Sequence, residues 1–126
     1  MEPEYWDGEI IERPTPNTKH STTQTFTGSA FLPLRSRFPL TVASDLRVKL
    51  RPGLYRLIDV AVYLGPEPPS VADTPPLIAT EILSPGDRVS EVMEKFDEYR
   101  AWGVAYIWLL DPKNAKCTST TVGSRE

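Results

Sequence analysis

Three residues near the middle of the chain have the types and the placement to do chemistry: Asp59, Glu81 and Lys95. Asp59 lies near the centre of an apolar stretch, LYRLIDVAVYL (Leu54 to Leu64), and Glu81 lies in a second one, LIATEIL (Leu77 to Leu83). A carboxylate in a core strand is costly unless it is paired, hydrogen-bonded or bound to a metal. Two such carboxylates side by side also repel each other. A divalent cation between them removes both penalties, so the pair reads as a metal site. The competing reading puts one strand at a sheet edge, where its acid is simply solvated.

Spacing supports a shared site. If the loop from Gly65 to Pro75 closes an antiparallel pair, Leu64 faces Pro76 and Asp59 falls opposite Glu81. Directly opposed residues have Cβ atoms about 4.5–5.5 Å apart and point to one face. Two carboxylates at that separation suit one Mg²⁺, which prefers carboxylate and water oxygens. The loop is long enough to slip the register, which leaves the edge-strand reading open.

These residues need elements to hold them. TVASDLRVKL alternates, with Leu46, Val48 and Leu50 on one side and Arg47 and Lys49 on the other. Pro52-Gly53 then turns this strand into a hairpin with the Asp59 strand. Leu54 to Leu64 is apolar on both faces, as expected of a central strand covered on both sides. Gly65 to Pro76 is expected to be loop. After SPGDR, an amphipathic helix over about Arg88 to Trp102 places Val89, Val92, Met93, Phe96 and Tyr99 on one stripe. Asp87 is its expected N-cap and Gly103 its terminator. Lys95 falls at the border of the stripe, where its amine can curl toward the sheet. VAYIWLL (Val104 to Leu110) reads as a buried strand, followed by a Thr/Ser-rich edge segment. Upstream, YWDGEIIE reads as a short strand broken at Asp7-Gly8. A helix beginning near His20 is poorly written, with many threonines and serines before Gly28 and Pro33.

At 126 residues with 40% hydrophobic and 25% charged residues, the chain has the composition of one globular domain. No apolar run reaches the roughly 20 residues that span a bilayer. The N-terminus is acidic without an apolar core, so a signal peptide is not expected and the cytoplasm is the default compartment. The single cysteine, Cys117, leaves no internal disulfide and no cysteine-based zinc cluster. The net charge of −3 argues against broad adhesion to nucleic acid. A local basic run, Arg35, Arg37, Arg47, Lys49, Arg51 and Arg56, could contact phosphates; a solvated basic face is the commoner meaning of such a run.

In order and spacing, YWDGEIIE, the loop ending in Lys19-His20, YRLIDVAVY, ATEILSP and EKFDEYRAWGVAYIWLLDP resemble the PD-(D/E)XK restriction-endonuclease-like superfamily, and within it the bacterial Uma-type family. The resemblance covers nearly the whole chain. It implies an α/β fold with an αβββαβ core, a mixed β-sheet flanked by helices and carrying a metal-dependent nuclease site. Asp59 and Glu81 take the places of the two motif acids. The motif lysine would stand two residues beyond Glu81, where this chain has Leu83, and in this family it has migrated to the next helix, here Lys95. Glu12 matches an acid near the N-terminal strand, and His20 a histidine before the first helix.

The resemblance implies that Asp59, Glu81 and the carbonyl of Ile82 hold Mg²⁺, with Mn²⁺ able to substitute, and that Lys95 orients the attacking water. His20 and Glu12 are auxiliary candidates, and Arg47, Lys49 and Arg56 are the nucleic-acid contacts. DNA is the implied partner, a homodimer is admitted and no membrane is expected. Lys95 has a structural alternative, an i,i+4 ion pair with Glu91. Departures from the family pattern are Ile58 before the first acid, a first helix poor in helix formers, and an altered stretch after Cys117. A metal-dependent DNA endonuclease is therefore the leading reading. The alternative is a catalytically silent nuclease-fold protein that binds nucleic acid or a protein partner.

Overall fold

The structure, a computed structural model, describes residues 4–6, 9–11, 18–113 and 116–121. Everything in it is arranged about one strand. Leu54–Leu64 (β4) is buried at every position except its half-buried Tyr55 and its exposed last residue, as its two-sided apolar character requires. Leu40–Arg51 (β3) forms the expected hairpin with it through the Pro52-Gly53 turn and occupies one edge along its length. The other edge is shared. Ile78–Ile82 (β6) pairs antiparallel with Val60 to Val62, and Glu4–Trp6 (β1) pairs with Tyr55. The sheet therefore forks along one edge of β4, and Asp59 sits at the fork.

β1 continues into Glu9–Ile11 (β2) as an antiparallel hairpin, as the Asp7-Gly8 break suggests. Beyond β6, Tyr106–Asp111 (β7) runs parallel to it and Lys116–Thr121 (β8) closes the far edge antiparallel. The stretch expected to be loop contains a short strand, Val71–Ala72 (β5), which pairs parallel with β3 at Arg47 and Val48. Its buried Ala72 explains the difference, because the turn carries a small apolar residue back onto the free edge of β3.

Thr18–Phe31 (α1) covers one face, and a 3-10 turn, Leu32–Ser36, follows it. Each threonine or serine costs α1 a few tenths of a kcal/mol. Burial of Phe31, stacked on Trp108 at 5.5 Å and packed with Leu40 and Val62, returns roughly 2–3 kcal/mol. Tertiary packing, not propensity, holds this helix. Val89–Trp102 (α2) covers the other face with Phe96 and Tyr99 against Val48, Ile58, Ala61 and Ile107.

Two expectations for α2 fail. Val89 and Met93 are 74% and 46% exposed, so the buried stripe is narrower than the periodicity implies. Asp87 does not cap the helix; its carboxylate accepts from the Ser84 N–H at 2.8 Å and closes the SPGD turn, leaving Arg88 at the N-cap. Gly103 ends the helix at φ 117°, with its N–H and that of Val104 returning to the carbonyl of Tyr99. No helix among the described residues is long and apolar enough to cross a membrane.

Candidate metal centre

The pairing of β4 with β6 follows the anticipated register. The ladder pairs Val60 with Thr80, Ala61 with Ala79 and Val62 with Ile78. One more step places Asp59 opposite Glu81. Both are buried, at 1% and 6% exposure, so neither strand is an edge with a solvated acid. The backbone ladder ends at Val60–Thr80, and beyond it the Asp59 carboxylate takes a donor of β6: its Oδ2 accepts from the Ile82 N–H at 2.7 Å. This bond ties the first acid to the end of the strand that carries the second.

Helix α2 holds Glu81. Lys95 Nζ donates to Glu81 Oε1 at 3.2 Å, and Tyr99 Oη donates to Oε2 at 2.9 Å. Lys95 therefore curls toward the sheet, as its border position suggests, and its observed partner is Glu81; Glu91 lies exposed. Helix α1 approaches from the other side, with the buried His20 Nε2 at 3.4 Å from Asp59 Oδ2. His20 thus touches an acid directly. Glu12 lies outside the described residues.

Tyr99 is the site residue that sequence reasoning assigned only to the core. Its signal was present. A tyrosine on a buried apolar stripe carries a hydroxyl that needs a partner, and Tyr99 stands one helical turn from Lys95.

The basic residues divide. Arg47 and Lys49 are half-buried on β3, two and four positions along from Asp45, which faces Asp59. At strand rise those steps are about 7 and 14 Å. Arg56 is a correction. The residue is 1% exposed and its guanidinium lies against α2, where Nε and Nη2 donate to Glu98 Oε1 at 2.9 and 2.6 Å. A buried, paired guanidinium cannot reach a phosphate backbone, so Arg56 is a structural residue.

The donor set fits a hard, hydrated cation. Two buried carboxylates opposed across a fork supply oxygen ligands of the kind Mg²⁺ takes, one or two from protein with waters completing the shell. No group of three His, Cys, Asp or Glu side chains placed to hold a metal occurs among the described residues.

Comparison with known proteins agrees with this architecture. The family model described as "Uma2: Putative restriction endonuclease" matches residues 2–123. Among solved structures, a crystal structure described as a "putative nuclease belonging to DUF820" from Anabaena variabilis superposes with a TM-score of 0.86. It shares 22% identity, over 98% of this chain and 73% of its own, a likeness of fold. No curated protein matches the chain.

Proposed function

The chain belongs to the Uma2 family, and from that premise we propose that it is a Mg²⁺-dependent endonuclease that hydrolyses DNA phosphodiester bonds, with Mn²⁺ able to replace Mg²⁺. The observation that carries the reading is the burial of two carboxylates opposed at a fork in the sheet, with a lysine ammonium on one of them. Asp59, Glu81 and the carbonyl of Ile82 would hold the cation. When bound, the cation would supply Lewis-acid polarisation of the phosphodiester and acidification of water.

The remaining work falls to this chain's own groups. Lys95, 3.2 Å from Glu81 Oε1, orients water at the edge of the site and offsets charge developing on phosphate oxygens. Tyr99 fixes the rotamer of Glu81, while His20 and the Ile82 N–H fix that of Asp59. Arg47 and Lys49 contact phosphates flanking the scissile bond. Glu12 is an auxiliary acid in the same proposal.

The test is nicking of supercoiled DNA in Mg²⁺, in Mn²⁺ and in EDTA. Cutting is expected only with a divalent cation, and Asp59→Asn or Glu81→Gln should lower the rate by several orders of magnitude while the fold survives. Full activity in either variant removes the site assignment. DNA binding without cleavage in either metal makes the chain a catalytically silent member of its family.

A further inference from the structure

Gln24 stands one helical turn beyond His20 on α1 and makes two hydrogen bonds. Its Nε2 donates at 2.9 Å to the carbonyl oxygen of Asp59 and at 2.9 Å to Asp45 Oδ1. A side-chain amide nitrogen has two N–H donors, so both are engaged. The two acceptors belong to neighbouring strands at one irregular point.

That point is one of two where the β3–β4 hairpin departs from ideal pairing, the other being a register shift between Lys49 and Arg51. Ser44 pairs with Val60 and Leu46 with Ile58, while Asp45 and Asp59 face each other without a ladder pair. Asp45 has φ 51°, alone among the described non-glycine residues in adopting positive φ. Such a backbone is strained unless its surroundings hold it, although aspartate tolerates it better than most residues. The inside–outside alternation of β4 also slips here. Ile58 and Ala61 lie three positions apart, yet both pack in the cluster under α2. A regular strand would put them on opposite faces. The slip spans Asp59 and Val60, so the irregularity helps to aim the Asp59 side chain.

We propose that Gln24 is a positioning residue for Asp59, clamping the irregular Asp45–Asp59 step so that the carboxylate is held toward β6. With His20 beside the carboxylate and Gln24 on the carbonyl, α1 grips Asp59 at two points. This inference rests on Asp59 holding the cation. Groups that orient a metal ligand without touching the metal typically change affinity or activity by about 10- to 100-fold when removed.

The measurement is the Mg²⁺ concentration that half-saturates the native protein, obtained by fitting the rise in melting temperature across a Mg²⁺ series to RT ln(1 + [Mg²⁺]/Kd). It reports the affinity of the native state, so a loss of global stability alone does not move it. Gln24→Leu, and Gln24→Glu as a near-isosteric variant lacking the donor, should raise the half-saturating concentration by about 10- to 100-fold. Asp45→Ala should behave likewise. Asp45→Asn keeps an acceptor oxygen and tolerates positive φ, so it should hold the wild-type value. Unchanged half-saturation in both Gln24 variants, with a responsive wild type, overturns the proposal.

A wild-type protein that ignores Mg²⁺ sinks the metal reading and with it the role in cation binding. The clamp itself is then read separately, by hydrogen exchange at the Ile82 amide, whose acceptor is Asp59 Oδ2. Gln24→Leu must speed that exchange relative to the other β6 amides. Equal acceleration along β6 would make Gln24 a general helix contact and overturn the clamp.

Discussion

Lys95→Met separates the electrostatic role of Lys95 from its chemical one. The ammonium lies 3.2 Å from Glu81 Oε1, with the two side chains 12% and 8% exposed. Removing one partner of a fully buried pair costs about 3–5 kcal/mol. Here Tyr99 still donates to Oε2 at 2.9 Å and some water reaches both groups, which lowers the expected loss to roughly 2–3 kcal/mol. With about 2.1 cal/mol/K of unfolding entropy per residue, 1 kcal/mol corresponds to about 4 °C in a chain of 126 residues. Calorimetry in EDTA should therefore find Lys95→Met melting roughly 8–12 °C below wild type. In Mg²⁺ at about ten times its dissociation constant, mass action stabilises the wild type by about 1.4 kcal/mol, or about 5 °C. The variant should gain at least as much, because no ammonium competes for Glu81, while its DNA turnover falls. Glu91→Ala should change neither quantity, since Glu91 is not the partner seen. An unaltered melting temperature in Lys95→Met would refute the pairing energy. Disappearance of the Mg²⁺ shift would refute the separation of roles, and the same losses in Glu91→Ala would return Lys95 to a helix-surface pair.

Arg56→Met should lower the melting temperature by roughly 10 °C, from a loss of about 3 kcal/mol when Glu98 is left partly buried without its guanidinium; the double variant Arg56→Met, Glu98→Leu should recover most of it. Arg47→Ala and Lys49→Ala should each reduce the salt dependence of DNA binding by about one unit of slope, measured by titration at several salt concentrations. Tyr63, whose hydroxyl donates to the Thr74 carbonyl at 2.7 Å, has its pKa raised from 10.0 to about 12, by burial first and by the Asp73 charge second. The native state thus keeps a proton that the unfolded chain releases. Its stabilising contribution is complete below pH 10.0 and is lost as the pH rises through about 12, so Tyr63→Phe should flatten the alkaline fall in stability over that window.

Much of this fold is legible because its central strands, β4 and β6, are written in apolar residues with few exceptions. The Pro52-Gly53 turn fixes one hairpin, and the apolar run of β4 fixes its central place. The loop that follows could have slipped, but it closes in the register that faces Asp59 with Glu81. The features that escaped depend on partners remote in sequence. β5 is two residues long and exists because Ala72 fits the edge of β3. Val89 and Met93 keep helical periodicity yet stay largely exposed, because the packing of α2 on the sheet runs along the narrower line of Val92, Phe96 and Tyr99. Arg56 looked like one cation in a basic run; a glutamate on α2 took it out of solvent. Charge runs read along a sequence cannot distinguish a surface from the inward side of a strand.

The site follows a different logic. The acids were visible because a carboxylate inside an apolar strand contradicts its surroundings, whereas Gln24 and Tyr99 contradict nothing where they stand. Each lies one helical turn from a residue that was recognised, Gln24 from His20 and Tyr99 from Lys95. A strand can offer a carboxylate but cannot wrap it, since its neighbours point to alternate faces. A helix presents two donors on one face at i and i+4, spaced to take two acceptors of one residue. Thus α2 spends Lys95 and Tyr99 on the two oxygens of Glu81, and α1 spends His20 and Gln24 on the carboxylate and carbonyl of Asp59. Where one donor facing a buried acid is known, the polar side chain one turn away is therefore the next place to look, even in a helix as weakly written as α1.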